Sequence, residues 1–219
     1  MANKTFAVSG QHYLFTVQAF AGTILSAGGD EFEYALRDRT LKGVIDDVAS
    51  GESDLGVIFE SSETASDIEA ALSTAGLEFT KIAESSPRVA LPAASHPLVN
   101  AESLTIDELA DYPYVYFEQE DDAPAAFAEE ALAQIPRAKK VATTDRASLS
   151  ELICALNGYT ITSGILVGIT DGSLLTTLPL ETDVTLQLGV VTRKGSKPEG
   201  LAAKFIEKLT KKLERYARL

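Results

Sequence analysis

The chain has 219 residues, 45% of them apolar, and carries 19 basic against 32 acidic side chains, a formal net charge of −13. That is the length of one domain or of two of about 100 residues, with a composition that excludes disordered, collagenous and fibrous classes and a charge poorly matched to a phosphate backbone. A single cysteine, Cys154, excludes an intrachain disulfide and any cysteine-rich zinc site, and His12 and His96 stand too far apart for metal-ligand spacing.

The opening Met1-Ala2-Asn3-Lys4 runs directly into an apolar strand over residues 4–9. It lacks the basic region, long apolar core and cleavage site of a signal peptide. No stretch reaches the roughly 18 apolar residues of a membrane span, so a cytoplasmic protein without membrane contact is expected. Ser9-Gly10 breaks the strand. Leu14, Val17, Ala21, Ile24 and Leu25 then recur at helical spacing, predicting a helix over 12–26 that Gly28-Gly29 ends. Phe32–Leu36 is a second strand. Thr40 looks like a helix cap, Leu41, Val44, Ile45 and Val48 make one apolar face, and Gly51 terminates that helix. Asp54–Phe59 is a third strand, almost continuously apolar, as strands buried on both faces of a parallel sheet are. This strand-helix-strand-helix-strand order implies a parallel sheet with helices on its faces. Ile68, Ala71 and Leu72 suggest a short helix closed by Gly76, and strands follow at 77–83 and 88–92. Pro87, Pro92, Ser95 and Pro97 punctuate the crossing between them and place a domain boundary there.

The second half repeats the pattern. Thr105-Ile106-Asp107-Glu108 is a capping box for a short helix that Pro113 stops. Tyr114–Phe117 is an aromatic strand, and Glu118, Glu120, Asp121 and Asp122 lead into an Ala- and Glu-rich helix expected over 123–134. A strand at 140–143 precedes a second capping box, Ser148-Leu149-Ser150-Glu151, with Leu152, Ile153 and Leu156 as the buried face and Asn157-Gly158 as the stop. Tyr159–Ile161 is a short central strand, and Ser163-Gly164 opens a turn or helix through Val167. Leu175–Leu180 is an edge strand containing Pro179, and 184–191 is a long strand. Pro198 lies near the first turn of a last helix striped by Leu201, Phe205, Ile206, Leu209 and Leu213. Residues 193–219 hold nine basic and three acidic side chains, which reads as the solvated face of that helix and leaves a net of −19 on the rest. The pattern is α/β in two halves of similar build, around 1–88 and 89–188. Periodicity alone does not say which half the chain after 189 closes.

Catalysis finds little support. Cys154, beside Ile153, reads as a small buried hydrophobe, and neither a G-x-S-x-G elbow nor an H-E-x-x-H motif is present. Gly164 and Gly168 lack dinucleotide spacing, and the acidic pairs at 118–122 read as a solvated loop. No catalytic residue, metal or cofactor is expected. Binding is better supported, because ligands of open α/β sheets sit outside the carboxyl ends of the strands. Four segments fall there: Ser9-Gly10-Gln11-His12, Phe59-Glu60-Ser61-Ser62, Phe117-Glu118-Gln119 and Thr160-Ile161-Thr162-Ser163-Gly164. The Ser9 hydroxyl, Gln11 and the free amides of a helix start could hold a carboxylate or other anion; a plain serine cap with a glycine turn is the alternative. Phe59 or Phe117 would supply apolar contact to a small polar ligand held between the two halves. His96 either touches such a ligand or caps a turn.

Several segments, in this order and spacing, resemble the effector-binding domain of LysR-type bacterial transcription regulators. They are Val8-Ser9-Gly10-Gln11-His12-Tyr13, Gly51-Glu52-Ser53-Asp54-Leu55-Gly56-Val57, Ser95-His96-Pro97-Leu98, Leu104-Thr105-Ile106-Asp107-Glu108-Leu109 before Pro113, Asn157 to Gly164, and Leu178-Pro179-Leu180. The resemblance covers essentially the whole chain. It implies two Rossmann-like α/β subdomains, similar to the type 2 periplasmic binding proteins, joined by crossing strands near 87–93 and 186–192. The division would be 1–88 with 189–219 against 89–188, the last helix returning to the first subdomain. The family's ligand positions carry over to Ser9, Gly10, Gln11, His12, Ser95, His96, Phe117, Thr160 and Thr162, with Phe59 at the cleft edge and Arg37 more distant. The effector would be a carboxylate, an amino acid or a similar small polar metabolite. The winged helix-turn-helix of such regulators is absent from this chain, so DNA would be contacted only through that missing N-terminal part. A homodimer, or a tetramer in the full-length form, is implied. A stand-alone solute-binding protein and an enzyme on the same scaffold are the alternatives.

Overall fold

The computed structural model describes residues 4–165 and 174–216. It divides into two compact units, one made of the chain up to Glu84 and from Gln187 onward, the other of Ser85–Leu186.

The first unit is built on a five-stranded sheet. Strand β1 (Lys4–Gly10) pairs in parallel with β2 (Phe32–Asp38), Lys4 facing Phe32 and Gly10 facing Asp38. The crossover between them is helix α1 (Leu14–Ala27). Helix α2 (Leu41–Ser50) starts at Thr40, whose Oγ1 accepts from the Gly43 amide at 3.2 Å, and ends at Gly51 with φ 85°. Both ends match the local signals in the sequence. Strand β3 (Leu55–Ser61) is buried at every residue and lies parallel to β1. At Gly56 a Cβ would come within 2.5 Å of Val44 Cγ1, so the glycine is what lets α2 lie down on the sheet. Helix α3 (Ala65–Thr74) leads through Gly76 to β4 (Leu77–Ser85).

Six more strands and two helices follow: β5 (Arg88–Pro92), β6 (Tyr114–Phe117), β7 (Lys140–Thr143), α4 (Arg146–Leu156), β8 (Thr160–Thr162), β9 (Leu175–Pro179), β10 (Leu186–Arg193) and α5 (Gly200–Tyr216). Strand β10 inserts between β3 and β4, giving the order β2-β1-β3-β10-β4. Helix α5 packs on α1, and its Phe205 ring sits 6.1 Å from Phe6, which itself stacks on Phe20 at 5.8 Å. Phe205, Leu209 and Leu213 of the predicted stripe are buried.

In the second unit, β5 is the middle of an antiparallel sheet ordered β8-β5-β9, and β6 pairs in parallel with β7. A single parallel bridge, Tyr114 with Tyr159, joins β6 to the start of β8. Helix α4 covers β6, and Val115, Phe117, Leu149, Ile153 and Leu175 form one core with Cys154 packed at its margin. Strand β9 is an edge strand, where Pro179 removes no needed donor.

Two expectations fail. The helix over 123–134 is absent: only a 3-10 turn, Ala125–Phe127, forms there. Alanine propensity is overridden because Pro124 and Ala128 take extended conformations, Leu132 sits at φ 59°, and tertiary partners claim the segment's polar groups. The Arg137 guanidinium donates to the Leu132 and Ile135 carbonyls, and Glu130 bonds the backbone of β6. The second capping box also fails. Helix α4 begins at Arg146, and its cap is Asp145, whose carboxylate accepts from the Ser148 amide at 2.9 Å. The first box does form, Thr105 and Glu108 bonding each other's backbone amides at 2.8 and 3.4 Å, although the helix it starts is only the 3-10 turn Asp107–Leu109. The turn or helix expected from Ser163 through Val167 lies, beyond Ile165, outside the described residues.

Candidate functional site

In the first unit, the carboxyl ends of β1 and β3 bring together Ser9, Gly10, Gln11, His12 and Phe59, with Arg37 at the matching position of β2. Ser9 is fully buried. Its hydroxyl donates to Asp47 Oδ2 at 2.5 Å and lies 2.8 Å from the Ser53 hydroxyl. The place where the sequence suggested an external carboxylate thus holds a carboxylate of the chain itself. Gln11 is also buried; its Oε1 accepts from the Phe59 amide at 3.0 Å, and its own amide donates to the Val57 carbonyl. The Gly10 carbonyl accepts from the Arg39 amide at 2.9 Å. Arg37 donates to the Glu52 carbonyl and the Ser53 hydroxyl and pairs with the Glu52 carboxylate at 3.5 Å. These groups brace β1 against α2 and β3. The Phe59 ring lies edge-on to Tyr13 at 5.6 Å, and His12 is half-buried.

Asp47 holds this brace, since it also accepts from Arg39 Nε at 3.1 Å. Asp47→Ala is expected to cost about 1–3 kcal/mol by leaving the Ser9 hydroxyl without its charged acceptor. Urea denaturation checks this; an unchanged midpoint would show that Ser53 alone satisfies Ser9.

Next to Phe59 stands Glu60, only 1% exposed, its Oε2 without a hydrogen-bond partner among the described residues. Burial, helped by the Glu69 charge, pushes its carboxyl up to about 7.

In the second unit, Ser95 is exposed and its hydroxyl donates to Asn157 Oδ1 at 3.4 Å. His96 is buried, its Nδ1 accepting from the Leu98 amide at 3.2 Å and its ring 4.4 Å from Tyr112. It therefore caps a turn, and burial holds its pKa below the usual histidine value. Thr160 and Ser163 are buried, and neither hydroxyl has a partner among the described residues. Thr162 is half-buried opposite Arg88. The Arg88 side chain donates to Thr177 and passes over Gly164, where a Cβ would lie 2.1 Å from Arg88 Cδ. With φ 78° as well, that position admits only glycine. Phe117 is buried at the end of β6, and its amide donates to Glu130 Oε1 at 2.8 Å.

Glu130 is a group that sequence reasoning missed. The sequence pattern puts it on the helix expected over 123–134; the structure buries it outside any helix, and desolvation with the neighbouring Glu129 charge pushes its carboxyl up to about 8. No local signal marks it, because its partner, the Phe117 amide, lies 13 residues away in the chain. Around it, Arg137 lies 4.3 Å over the Tyr114 ring and donates to the Tyr159 hydroxyl at 3.2 Å. Among the described residues no cluster of three or more His, Cys, Asp or Glu could hold a metal ion, and no helix is long and apolar enough to cross a membrane.

Two α/β units, the first completed by a strand that returns from the second, make the fold of the type 2 periplasmic binding proteins. The LysR substrate binding domain family model matches residues 30–214, and the chain belongs to that family. Solved structures agree on the fold. HinK, a LysR family transcriptional regulator from Pseudomonas aeruginosa, superposes with a TM-score of 0.65 at 15% identity over 96% of this chain and 71% of its own. The effector binding domain of QuiR, solved in complex with shikimate, gives 0.62 at 14% identity over 98% and 99%. The effector binding domain of a BenM variant gives 0.65 at 13% identity over 98% and 97%. No curated protein matches the chain in sequence.

Proposed function

We propose that this LysR-type effector-binding domain takes a small polar metabolite between its two units. The ligand would be a carboxylate, an amino acid or a similar compound. Binding would shift the pose of the units and so alter DNA binding and transcription by a full-length, cytoplasmic regulator. The role is regulatory rather than catalytic. DNA would be contacted through the regulator's own N-terminal domain, and the effector domains would pair as a homodimer, or assemble as a tetramer. A ligand can drive such a shift only by binding the two poses with different affinity.

The observation that carries the reading is the pair of buried hydroxyls at Thr160 and Ser163, in and just after β8, with no partner among the described residues. An unmet buried polar group costs about 1–3 kcal/mol, and a polar ligand would relieve it. The shikimate named with the QuiR domain is itself a small hydroxylated acid.

A thermal-shift screen against organic acids, amino acids, nucleosides and sugars tests this. Ligand that binds only the native state raises the melting point by mass action, so a saturable rise confined to one chemical class is expected. Thr162→Trp should weaken that ligand by at least about tenfold, roughly 1.4 kcal/mol, with an unchanged circular dichroism spectrum. Equal affinity in the variant would put the ligand elsewhere. Ser9 is unsuited to the same test, because a bulky residue there would evict the buried Asp47 contact.

A further inference from the structure

The β8-β5-β9 sheet of the second unit contains a single charged side chain, Arg88; β8 and β9 hold only Thr, Ile, Leu and Pro. Arg88 pairs directly with Thr162 across β5 and β8. Directly opposed residues of an antiparallel pair project from the same face, so the Thr162 side chain stands beside that of Arg88. Thr160 and Thr177, both opposite Ala90, share the face because side chains repeat with period two along a strand.

The guanidinium is held in one orientation. Its stem lies against Gly164, a position whose backbone leaves room for no side chain. Nε donates to Thr177 Oγ1 at 3.1 Å and Nη2 to the Thr177 carbonyl at 3.0 Å. This sideways fork uses two of the five N–H donors that a guanidinium carries in a fixed plane. The end of the fork, formed by Nη1 and the outer hydrogen of Nη2, is left over. Arg88 makes no ion pair among the described residues, and Nη1 meets no acceptor there. The Thr162 hydroxyl has no partner among them either. Thr160, 5% exposed on the same face, adds a buried hydroxyl that is likewise unmet. Arg37, the cation that the sequence suggested for an acidic effector, is by contrast already paired with Glu52.

We propose that Arg88 is the residue that reads the effector's charge: the free end of its guanidinium, with the Thr162 hydroxyl beside it, seats a carboxylate, so the effector is an organic acid. The inference rests on the effector reading above and narrows it. A carboxylate only accepts, and its two oxygens match the two parallel N–H bonds at the end of a guanidinium. Such charge-assisted bonds are about twice as strong as neutral ones. A sugar or nucleoside hydroxyl offers no charge to the fork, and an ammonium is repelled by it. The clamp of Thr177 and Gly164 sets the fork's direction before a ligand arrives, which lowers the ordering cost of binding.

The experiment melts the chain against shikimate, succinate, phenylacetate and L-leucine, each beside its carboxamide, with glucose, adenosine and butylamine as ligands without an acid group. R88M, R88K and T162V are run in parallel. Methionine keeps much of the stem against Gly164 and removes the charge; lysine keeps the charge and removes the fork; valine keeps the shape of Thr162 without its hydroxyl. The expected result is a saturable rise with at least one acid and none with its carboxamide. R88M should bind that acid at least about tenfold more weakly, and R88K and T162V several-fold more weakly, all three with native circular dichroism spectra. If R88M does not fold, R88K and T162V decide. A carboxamide, sugar, nucleoside or amine that stabilises the protein as well as any acid, or folded Arg88 variants with undiminished affinity for the acid, would overturn the inference and leave the effector reading standing. No saturable shift with any member of the panel would bring down both.

Discussion

Gly189→Ala should leave the first unit unable to fold. Gly189 lies in β10, between β3 and β4, where a Cβ would stand 2.2 Å from the Thr80 carbonyl oxygen and 2.7 Å from the Phe79 ring. The oxygen belongs to the backbone of the neighbouring strand, so relief requires breaking the ladder that closes the sheet. Ordinary overpacking costs about 1–3 kcal/mol because side chains can rotate away; here nothing rotates, and the loss approaches the whole stability of a domain, about 5–15 kcal/mol. Hydrogen exchange read by mass spectrometry should show protection lost over residues 4–84 and 187–216 and kept over most of 85–186. Gly195→Ala is the control: its φ of 74° carries strain but nothing lies within 4 Å of the added methyl, so a cost of about 1 kcal/mol is expected. Native protection of the first unit in Gly189→Ala would show that β4 can move aside.

Stability should fall as pH rises from about 5 to 8, and E130Q should remove much of that fall. The Glu130 carboxyl is raised from 4.5 to about 8 and the Glu60 carboxyl from 4.5 to about 7. Between those limits the unfolded chain has released protons that the native protein still holds. The native state therefore binds more protons, and stability declines with pH, by up to about 1.4 kcal/mol per unit for one group. The contribution of Glu130 is complete below the unfolded value and lost as pH climbs through the native one. The whole effect is on the order of a few kcal/mol. Melting temperatures of both proteins across this range check it. The variant's advantage should widen towards pH 8; a constant gap would mean that Glu130 is ionised in the native protein throughout.

What was legible in the sequence was local. Helix α2 carries its own start and stop, a threonine three residues from the amide it caps and a glycine that takes a left-handed conformation. Strand β3 announces double burial by an unbroken apolar run, and α5 shows its stripe. The 123–134 segment is misjudged because what decides it is tertiary: Glu130 reaches across to the Phe117 amide, and Arg137 folds back onto the Leu132 and Ile135 carbonyls. The same holds at the candidate site. The turn after β1 could be located from Ser9-Gly10, yet Asp47, 38 residues away, takes its hydroxyl. Glu130 and Gln119 both bond the backbone of Phe117, one its amide and the other its carbonyl, and no periodicity encodes that.

The insertion of β10 between β3 and β4 also dictates an order of events on the ribosome. Strand β3 is complete at Ser61, whereas β10 is complete only at Arg193. At about 5–20 residues per second, the interval is on the order of ten seconds. Throughout it, β3 and β4 lack the neighbour that joins them, and each offers an open edge of the kind that recruits other chains. Residues 85–186, by contrast, form one uninterrupted stretch and can close while the rest waits. The nascent protein is most exposed to aggregation after its second unit has folded and before its first can, so binding by a chaperone should concentrate on β3 in that window.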